Sequence, residues 1–438
     1  MRTAAACLFV ILLLANCTAP KGTQTGDAGT RKNRGAAFDN TPEAMYEFVR
    51  DNDIRTIQFH KSGLVNTYPV IDLAANEQLT LKFDILGAGQ TRNMQYTFVH
   101  CDANWNRSNI LQSDYIDGLF QDIITNFSFS TSTYKKYTHY RLDFPSSNMR
   151  PKISGNYMLI VYEDDIEQPL LARRFYVYER QVSLTAEVKR ATYSKYRNTH
   201  QEIDFTINTQ DLTPLDAFND IQVVLKKNWN TITEINDLKP TYVHDRGLVY
   251  NYEEGNLFEA GNEYRAFDTR DVRFKGMGIK TFVFDSLFHA VLFTDEDRSY
   301  KTYSTYIDQN GNYTITTRRG GDASTDADYI DVQFKLKPSY AEEQKTYIYG
   351  ALTNWQIDER FRMNYNVRDG YTCNVLLKQG YYDYEYVVVN EKGEFVPSVF
   401  EGNHWETENN YSIFVYYKPR TKLGDRLVGV YQLNTTTK

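Results

Sequence analysis

Apolar and polar residues alternate with a period of two along most of the chain. Residues 330–337 place four apolar side chains on one face of an extended strand and four polar side chains on the other. The same alternation recurs in residues 79–84, 203–208 and 382–386. Each of these segments predicts one strand of an antiparallel sheet that is buried on a single face.

A single sheet of such strands does not fold alone. Four buried apolar side chains contribute about 1.5–3 kcal/mol each, whereas ordering eight residues costs roughly 1.5 kcal/mol per residue, so the two sums nearly cancel. A second sheet that covers the apolar face shifts the balance towards folding. The chain is therefore predicted to be all-β, with three consecutive antiparallel β-sandwich domains of immunoglobulin-like or early-set-like type.

The 438 residues divide into three such domains at the usual domain size. The first sandwich is predicted over residues 42–180, the second over 181–319 and the third over 328–438. Residues 320–327 are small and polar, and they are predicted to link the second and third domains. The pattern of residues 42–49 predicts one short helix before the first sheet.

The amino terminus has the layout of an export signal. Residues 1–16 carry Arg2 and then an apolar core that is too short to span a bilayer, which predicts a signal peptide. The four residues that end at Cys17, LANC, resemble a bacterial lipobox in which Asn16 replaces a smaller residue, and lipidation at Cys17 is predicted. An ordinary cleaved secretory signal is the alternative. Residues 17–41 are rich in Gly and polar residues and are predicted to be a flexible tether.

Charge and motif content exclude several functions. The formal net charge is −7, so the broad basic surface that nucleic acid requires is absent. His100, Cys101 and Asp102 are consecutive, and neighbours on a strand point to opposite faces, so they do not form a catalytic triad. Cys101 and Cys373 lie far apart in different modules, so no disulfide framework is expected. We predict no enzymatic activity, no cofactor, no metal site, no small-molecule substrate and no nucleic-acid partner.

Tyrosine is the unusual feature of the composition, with 35 residues. Its high β-propensity and its preference for amphipathic edges account for most of them. Tyrosine also gives a large contact area with little rotamer entropy to lose, which suits a protein interface. Where two tyrosines are consecutive, both faces of a strand are aromatic and one face is left for a partner. The predicted partner-binding residues are Tyr381, Tyr382, Tyr416, Tyr417 and Trp355.

Six short segments carry a family resemblance. They are HCDANW at residues 100–105, YTHY at 137–140, GNY at 155–157, VYEDD at 161–165, EGNHWETEN at 401–409 and IFVYY at 413–417. With these segments the chain resembles the plug proteins of the type IX secretion system. The resemblance implies a non-enzymatic subunit of the protein secretion translocon, located in the periplasm and associated with the outer membrane. It also implies that the chain binds the outer-membrane translocon barrel and seals its periplasmic opening, and a lipid anchor at Cys17 agrees with that location.

Further motifs in the third module are YIYG at residues 347–350, NW at 354–355 and GYYDYEY at 380–386. They resemble early-set sandwiches related to glycogen-binding domains. In those modules an exposed Trp stacks on a sugar, a Lys donates to hydroxyls and a second Trp assists. Trp355 matches the first Trp, Glu385 stands in place of the Lys, and Phe395 stands in place of the second Trp. The alternative function is therefore a surface glycan-binding lipoprotein with sandwich modules.

Overall fold

The first sandwich is built from strands β1 to β12. The computed structural model describes residues 45–435, except 88, 90, 210–211, 213–215, 341–342 and 420–423. The strands are β1 (Phe48–Val49), β2 (Ile54–Lys61), β3 (Val70–Asp72), β4 (Leu79–Leu86), β5 (Gln95–Cys101), β6 (Ile116–Gly118), β7 (Asp122–Ile123), β8 (Asn126–Phe129), β9 (Tyr137–Phe144), β10 (Met149–Pro151), β11 (Gly155–Tyr162) and β12 (Leu171–Tyr178). Helix α1 (Gln112–Tyr115) precedes β6.

These strands form two facing sheets, in the orders β1-β12-β11-β5-β7 and β2-β4-β9-β8. Strand β3 runs parallel to β12, and β10 pairs with β6. The core lies between the sheets, where β4 contributes Leu81 and Phe83, both fully buried. The opposite face of β4 is also buried, at Thr80 and Asp84. A face that the alternation predicts to be solvated is therefore covered by another part of the chain.

The short helix predicted over residues 42–49 is wrong for its described part. Residues 45–47 have no regular structure, and Phe48–Val49 form β1, which pairs with β12. The Glu47 carboxylate accepts a hydrogen bond from the backbone N–H of Arg174 (2.9 Å). The extended chain thus gains contacts with the sandwich, whereas an isolated helical turn is only marginally stable. The predicted signal peptide, Cys17 and the tether lie outside the described residues.

The second sandwich begins with strands β13 to β19. They are β13 (Ser183–Arg190), β14 (His200–Asn208), β15 (Ile221–Lys227), β16 (Asn230–Ile235), β17 (Tyr242–His244), β18 (Gly247–Tyr250) and β19 (Leu257–Glu259), with helix α2 (Ala217–Asp220) before β15. One sheet has the order β13-β14-β18-β17, and β19 also pairs with β14. Strands β15 and β16 belong to the facing sheet, which the chain completes only at its carboxyl end.

The third sandwich contains strands β20 to β30. They are β20 (Arg265–Asp268), β21 (Ile279–Phe284), β22 (Phe288–Leu292), β23 (Asp295–Glu296), β24 (Tyr313–Ile315), β25 (Tyr329–Lys337), β26 (Lys345–Tyr349), β27 (Asn364–Asn366), β28 (Gly370–Lys378), β29 (Gly380–Val389) and β30 (Phe395–Val396). Helices α3 (Ala323–Asp326) and α4 (Ser398–Glu401) and the 3₁₀ turns Ala351–Thr353 and Glu359–Phe361 connect them. The sheets have the orders β20-β29-β24 and β21-β22-β25-β28-β27. Strands β26 and β30 pair with β29, and β23 pairs with β25.

The chain then returns to the second sandwich. Strands β31 (Asn410–Tyr417) and β32 (Arg426–Asn434) extend the sheet in the order β16-β15-β31-β32, with Val223 opposite Val415. Sheet membership therefore differs from the predicted domains over 181–319 and 328–438, because the third sandwich is inserted within the second. The predicted linker at residues 320–327 lies inside the third sandwich, between β24 and β25. Period-two alternation identifies strands but not their partners, which explains the difference.

The all-β fold class predicted from the alternation is confirmed. The described sheets are mainly antiparallel and stack in facing pairs, and each pair encloses an apolar cluster.

Candidate docking surface

The first and third sandwiches meet around a buried carboxylate on the outer face of β4. Asp84 Oδ2 accepts hydrogen bonds from Lys378 Nζ (2.6 Å) and the Tyr329 hydroxyl (2.7 Å). Asp84 Oδ1 lies 2.6 Å from His139 Nδ1. The Lys378 ammonium also lies 4.1 Å from the centroid of the Tyr137 ring, which is a cation–π distance. We call these five residues the Asp84 cluster.

Burial defines the electrostatics of the Asp84 cluster. The side chains of Asp84 and Lys378 are each 1% exposed. Desolvation lowers the pKa of the Lys378 ammonium, although the Asp84 charge opposes that shift. Because a buried charge without a partner is costly, this ion pair makes the contact between the two sandwiches specific.

The first and second sandwiches meet around Lys226. Its ammonium donates to the Tyr176 hydroxyl (2.8 Å) and pairs with Glu234 Oε2 (3.0 Å). The same ammonium lies 5.3 Å, 5.3 Å and 5.7 Å from the ring centroids of Tyr176, Trp229 and Phe414. Three rings around one buried cation hold it by cation–π attraction as well as by the ion pair. Each contact between sandwiches thus centres on a buried lysine: Lys378 pairs with Asp84 across one, and Lys226 donates to the Tyr176 hydroxyl across the other.

The predicted partner-binding tyrosines divide into buried and half-buried residues. Tyr382 is buried in the core of the third sandwich, stacked between Phe267 and Tyr313 at 5.1 Å from each ring. Tyr416 is buried between the first and second sandwiches. Neither ring has a surface to offer a partner, so the prediction is wrong for both.

Tyr381 and Tyr417 are half-buried. The Tyr381 hydroxyl contacts Met277 Sδ (3.8 Å) on the outer side of β29, and the Tyr417 ring packs against the core of the second sandwich. Their role as partner-binding residues stays a prediction. For the 416–417 pair, the second aromatic face meets another sandwich of the same chain.

Trp355 is 5% exposed and does not form a platform on the surface. Its ring packs edge-on against Tyr349 (5.7 Å) and Tyr264 (6.2 Å), and Gly311 passes directly over it. A β-carbon at Gly311 would lie 2.4 Å from the ring, so only glycine fits there. The prediction that Trp355 contacts a partner or a sugar is wrong, because the residue is part of the core.

Replacing Trp355 by phenylalanine tests this assignment. We expect the free energy of unfolding to fall by about 1–3 kcal/mol, since the smaller ring leaves a cavity. We also expect no change of mobility in native gels that contain soluble polysaccharides, measured beside gels without them. Retardation of the wild-type chain that the variant loses would contradict the core assignment.

Two carboxyl groups, those of the buried Asp383 and the half-buried Asp308, hold the loop at residues 308–312. Asp383 accepts hydrogen bonds from the backbone N–H groups of Gln309 and Gly311 (3.3 Å for Gly311), and Asp308 accepts from that of Tyr264 (2.5 Å). Burial, followed by the Asp308 charge, raises the pKa of Asp383 to about 8, and burial raises that of Asp308 to about 6. These carboxyl groups keep their protons in the folded state at pH values where the unfolded chain has lost them.

A charge-neutral replacement at Asp383 is expected to change the pH dependence of stability. Between about pH 4 and pH 8 the folded state binds more protons at Asp383 than the unfolded state, so stability falls as the pH rises, by at most about 1.4 kcal/mol per pH unit. In Asp383→Asn the melting temperature should fall less over this range. The exposed control Asp369→Asn should keep the wild-type profile. Parallel profiles for all three proteins would contradict this account.

Glu385, which stands in place of the sugar-binding Lys, is also buried. Desolvation raises its pKa, and desolvation lowers the pKa of the neighbouring Lys227. Burial thus outweighs the mutual attraction of the two groups. Glu385 lies inside the protein and presents no acceptor to a ligand on the surface.

The described part of the chain contains two free cysteines, Cys101 and Cys373, and both are buried. Burial raises the pKa of Cys373 to about 11 and that of Cys101 well above its usual range, so both thiols are protonated at neutral pH. Among the described residues, no group of three or more His, Cys, Asp or Glu is placed to hold a metal ion. Within the same ranges, no helix has the length and apolar character needed to cross a membrane.

Several exposed apolar residues lie close together in sequence along one edge of the first sandwich. Five side chains between residues 119 and 129 are 40% to 53% exposed. They are Leu119, Phe120, Ile123, Phe127 and Phe129, and we call them the apolar edge. Strands β7 and β8 are the last strands of their sheets, so Ile123, Phe127 and Phe129 lie on edge strands.

The backbone of the apolar edge is held in place although its side chains are exposed. Thr97 Oγ1 donates to the carbonyl of Phe120 (2.6 Å), and the N–H of Ile124 donates to the carbonyl of Met94 (2.8 Å). Strand β8 pairs with β9 along its whole length. The backbone that carries these exposed side chains is therefore hydrogen-bonded to its neighbours, so less conformational entropy is lost when a partner binds.

The third sandwich extends this surface. Tyr134, at the end of the β8–β9 hairpin, packs on Phe284 of β21 with ring centroids 4.8 Å apart. Tyr134, Phe284 and the adjacent Val283 are all about half exposed. Exposed apolar groups concentrated in this way are typical of binding surfaces. Sequence reasoning missed them because an exposed phenylalanine in a strand has the same pattern as a buried one.

The described residues define an all-β protein of three joined sandwiches with exposed apolar side chains along one edge of the first. Residues 54–179 match the family described as "Type 9 secretion system plug protein 1st domain", and this range contains the whole apolar edge. The chain belongs to the type 9 secretion system plug protein family. The family and the all-β fold indicate a structural, non-enzymatic role in type 9 secretion, associated with the periplasm and the outer membrane.

A solved structure is similar over most of the chain. It is the crystal structure, at 2.30 Å, of a hypothetical protein from Parabacteroides merdae ATCC 43184. The TM-score is 0.86 and the sequence identity is 32%, over 90% of this chain and 100% of that one. No curated protein matches the sequence significantly.

Proposed function

We propose that the chain is a non-enzymatic plug subunit that binds the periplasmic opening of the outer-membrane type IX translocon barrel and seals it. The observation that carries the proposal is the position of the apolar edge inside the segment that matches the plug family. An exposed apolar surface on a fixed frame is what a protein partner would cover. The apolar edge is therefore the contact surface in this proposal.

Sealing requires a body of domain size that keeps its shape. A barrel of many strands encloses an aqueous channel, so closing it takes a folded object as wide as the opening. The Asp84–Lys378 ion pair joins the first and third sandwiches, and the hydrogen bond from Lys226 to the Tyr176 hydroxyl joins the first and second. A body joined in this way resists deformation when it is pressed against the barrel.

A lipid tether would raise the apparent affinity for the barrel without adding any new contact. If Cys17 is lipidated and residues 17–41 form a flexible tether, the folded body stays at high local concentration beside the outer membrane. A plug held in this way can leave the barrel and return without diffusing away. This part of the proposal rests on the sequence of residues outside the described ranges.

Co-purification tests the proposal. The full chain, tagged at its carboxyl end and extracted with mild detergent from cells that express type IX secretion, is expected to elute with an outer-membrane barrel protein, to be identified by mass spectrometry. A tagged, unrelated outer-membrane lipoprotein is the control for nonspecific recovery. Elution of the chain without any barrel protein would count against the proposal.

The glycan-binding alternative has no structural observation in its favour. Trp355 is in the core, Glu385 is buried and Phe395 packs against Tyr349, so the three positions that the resemblance implied do not form a sugar-binding surface.

A further inference from the structure

A cavity of about 320 Å³ lies where the first sandwich meets the third, apart from the apolar edge. Its walls come from β2, the 3₁₀ turns Ala351–Thr353 and Glu359–Phe361, β28 and β29. The apolar part of the lining includes Ile54, Ile57, Leu352, Phe361, Val375 and Leu377. A volume of this size is at the lower end of the range for small-molecule sites.

Both charged residues that line the cavity are arginines. Arg55 and Arg360 face it, together with the amides of Asn354 and Asn374, and the lining contains no carboxylate. Arg55 is the cation of the lining that makes no ion pair with a described carboxylate, since Arg360 is paired with Asp358. The lining therefore combines apolar walls with a positive end.

The guanidinium of Arg55 has no acidic partner within the described residues. It donates to the backbone carbonyls of Asn52 and Ile54. Arg360, by contrast, is paired with Asp358 at 2.6 Å. Burial, and then the nearby Arg360 charge, lowers the pKa of Arg55, although Asp53 and Asp358 oppose that shift. An anion placed between the two guanidinium groups would relieve this repulsion.

A β-bulge in β2 forms one wall. The pairing of β2 with β4 shifts register between Arg55 and Gln58, and Thr56 has a φ of +52°. A β-branched residue rarely adopts positive φ. In a regular strand, successive residues point to opposite faces, whereas here four consecutive residues, 54–57, line the cavity.

Contacts from the third sandwich hold the bulge. The Thr56 hydroxyl lies 2.7 Å from that of Tyr329, and the Tyr313 hydroxyl donates to the carbonyl of Ile57 at 2.8 Å. Strained backbone that is fixed by its surroundings is common at binding sites.

We propose that this cavity binds an amphipathic monocarboxylate, with its hydrocarbon chain on the apolar walls and its carboxylate between Arg55 and Arg360. The guanidinium fork matches the two carboxylate oxygens in geometry and charge. Two sources share this chemistry: a free fatty acid and the carboxyl terminus of a polypeptide that ends in an apolar residue.

Calorimetric titration of the full chain with octanoate tests the proposal, with octanol and octylamine as probes of equal chain length. We expect saturable binding of octanoate and about tenfold or weaker binding of the two other probes. Equal binding of octanol, or no saturable octanoate binding, would overturn the proposal. A short peptide that ends in leucine, used as the free acid and as the amide, distinguishes the sources: tighter binding of the free acid than of octanoate assigns the site to a polypeptide terminus.

Variants assign the binding to the cavity. Arg55→Gln and Arg360→Gln should each weaken octanoate binding about tenfold or more, whereas Arg150→Gln, which alters an exposed pair with Asp117, should not. Circular dichroism establishes that each variant is folded, and Arg360→Gln keeps the test valid if Arg55→Gln does not fold, because the Arg360 side chain is exposed. Wild-type affinity in the folded arginine variants would contradict the assignment.

Discussion

Replacing Asp84 by alanine is expected to lower the free energy of unfolding by about 3–5 kcal/mol. The substitution leaves the Lys378 ammonium, 1% exposed, without its carboxylate, and it removes the acceptor of the Tyr329 hydroxyl. An uncompensated buried cation costs far more than the lost attraction alone. Urea unfolding followed by circular dichroism measures the change.

Two further variants separate this effect from the loss of a carboxylate in general. Asp117→Ala removes an exposed partner of Arg150 and should cost at most about 1 kcal/mol. The double variant Asp84→Leu with Lys378→Met removes both charges, and it should recover part of the stability because no unpaired charge remains. A cost for Asp84→Ala no larger than that for Asp117→Ala would show that the cluster does not hold the sandwiches together.

Placing aspartates on the apolar edge is expected to weaken barrel binding by more than about thirtyfold. Phe120→Asp with Phe129→Asp changes two side chains that are 46% and 45% exposed, so the fold should tolerate the change while a partner would have to bury two carboxylates. Affinity for the purified barrel, measured by biolayer interferometry, gives the size of the effect.

Val367→Asp is the matched control for the apolar edge. Val367 is 85% exposed in the turn between β27 and β28, at the far edge of the sheet whose other edge strand, β21, carries Phe284. This variant should bind as the wild-type chain does. If it loses affinity as strongly as the double variant does, the contact surface has been placed wrongly.

The sequence predicts the strands well, because alternation reports which face of a strand is apolar. Strand β4 follows the pattern of residues 79–84, and Leu81 and Phe83 face the core as expected. Alternation does not report what covers the polar face, which is why the burial of Asp84 could not be predicted. An acidic residue on that face is assigned to solvent until its partner, Lys378, is placed beside it by tertiary packing.

The domain boundaries and the binding residues depend on longer-range information. Strands β31 and β32 are as regular as any others, yet only pairing with β15 shows that they close the second sandwich. The tyrosine-based prediction failed at Tyr382 and Tyr416 because tyrosine on a half-polar strand is compatible with core, interdomain contact or surface. The apolar edge was missed for the converse reason. Phe127 and Phe129 have the two-residue spacing of core positions in a strand, although both are exposed.

Outer-membrane permeability tests the central claim most directly. Cells that lack the chain but keep the translocon should admit a large antibiotic that intact cells exclude, measured as a lower inhibitory concentration. Expression of the wild-type chain or Val367→Asp should restore exclusion, and the Phe120→Asp, Phe129→Asp chain, present at equal level, should not. Unchanged exclusion in cells without the chain would contradict the proposal that it seals the barrel.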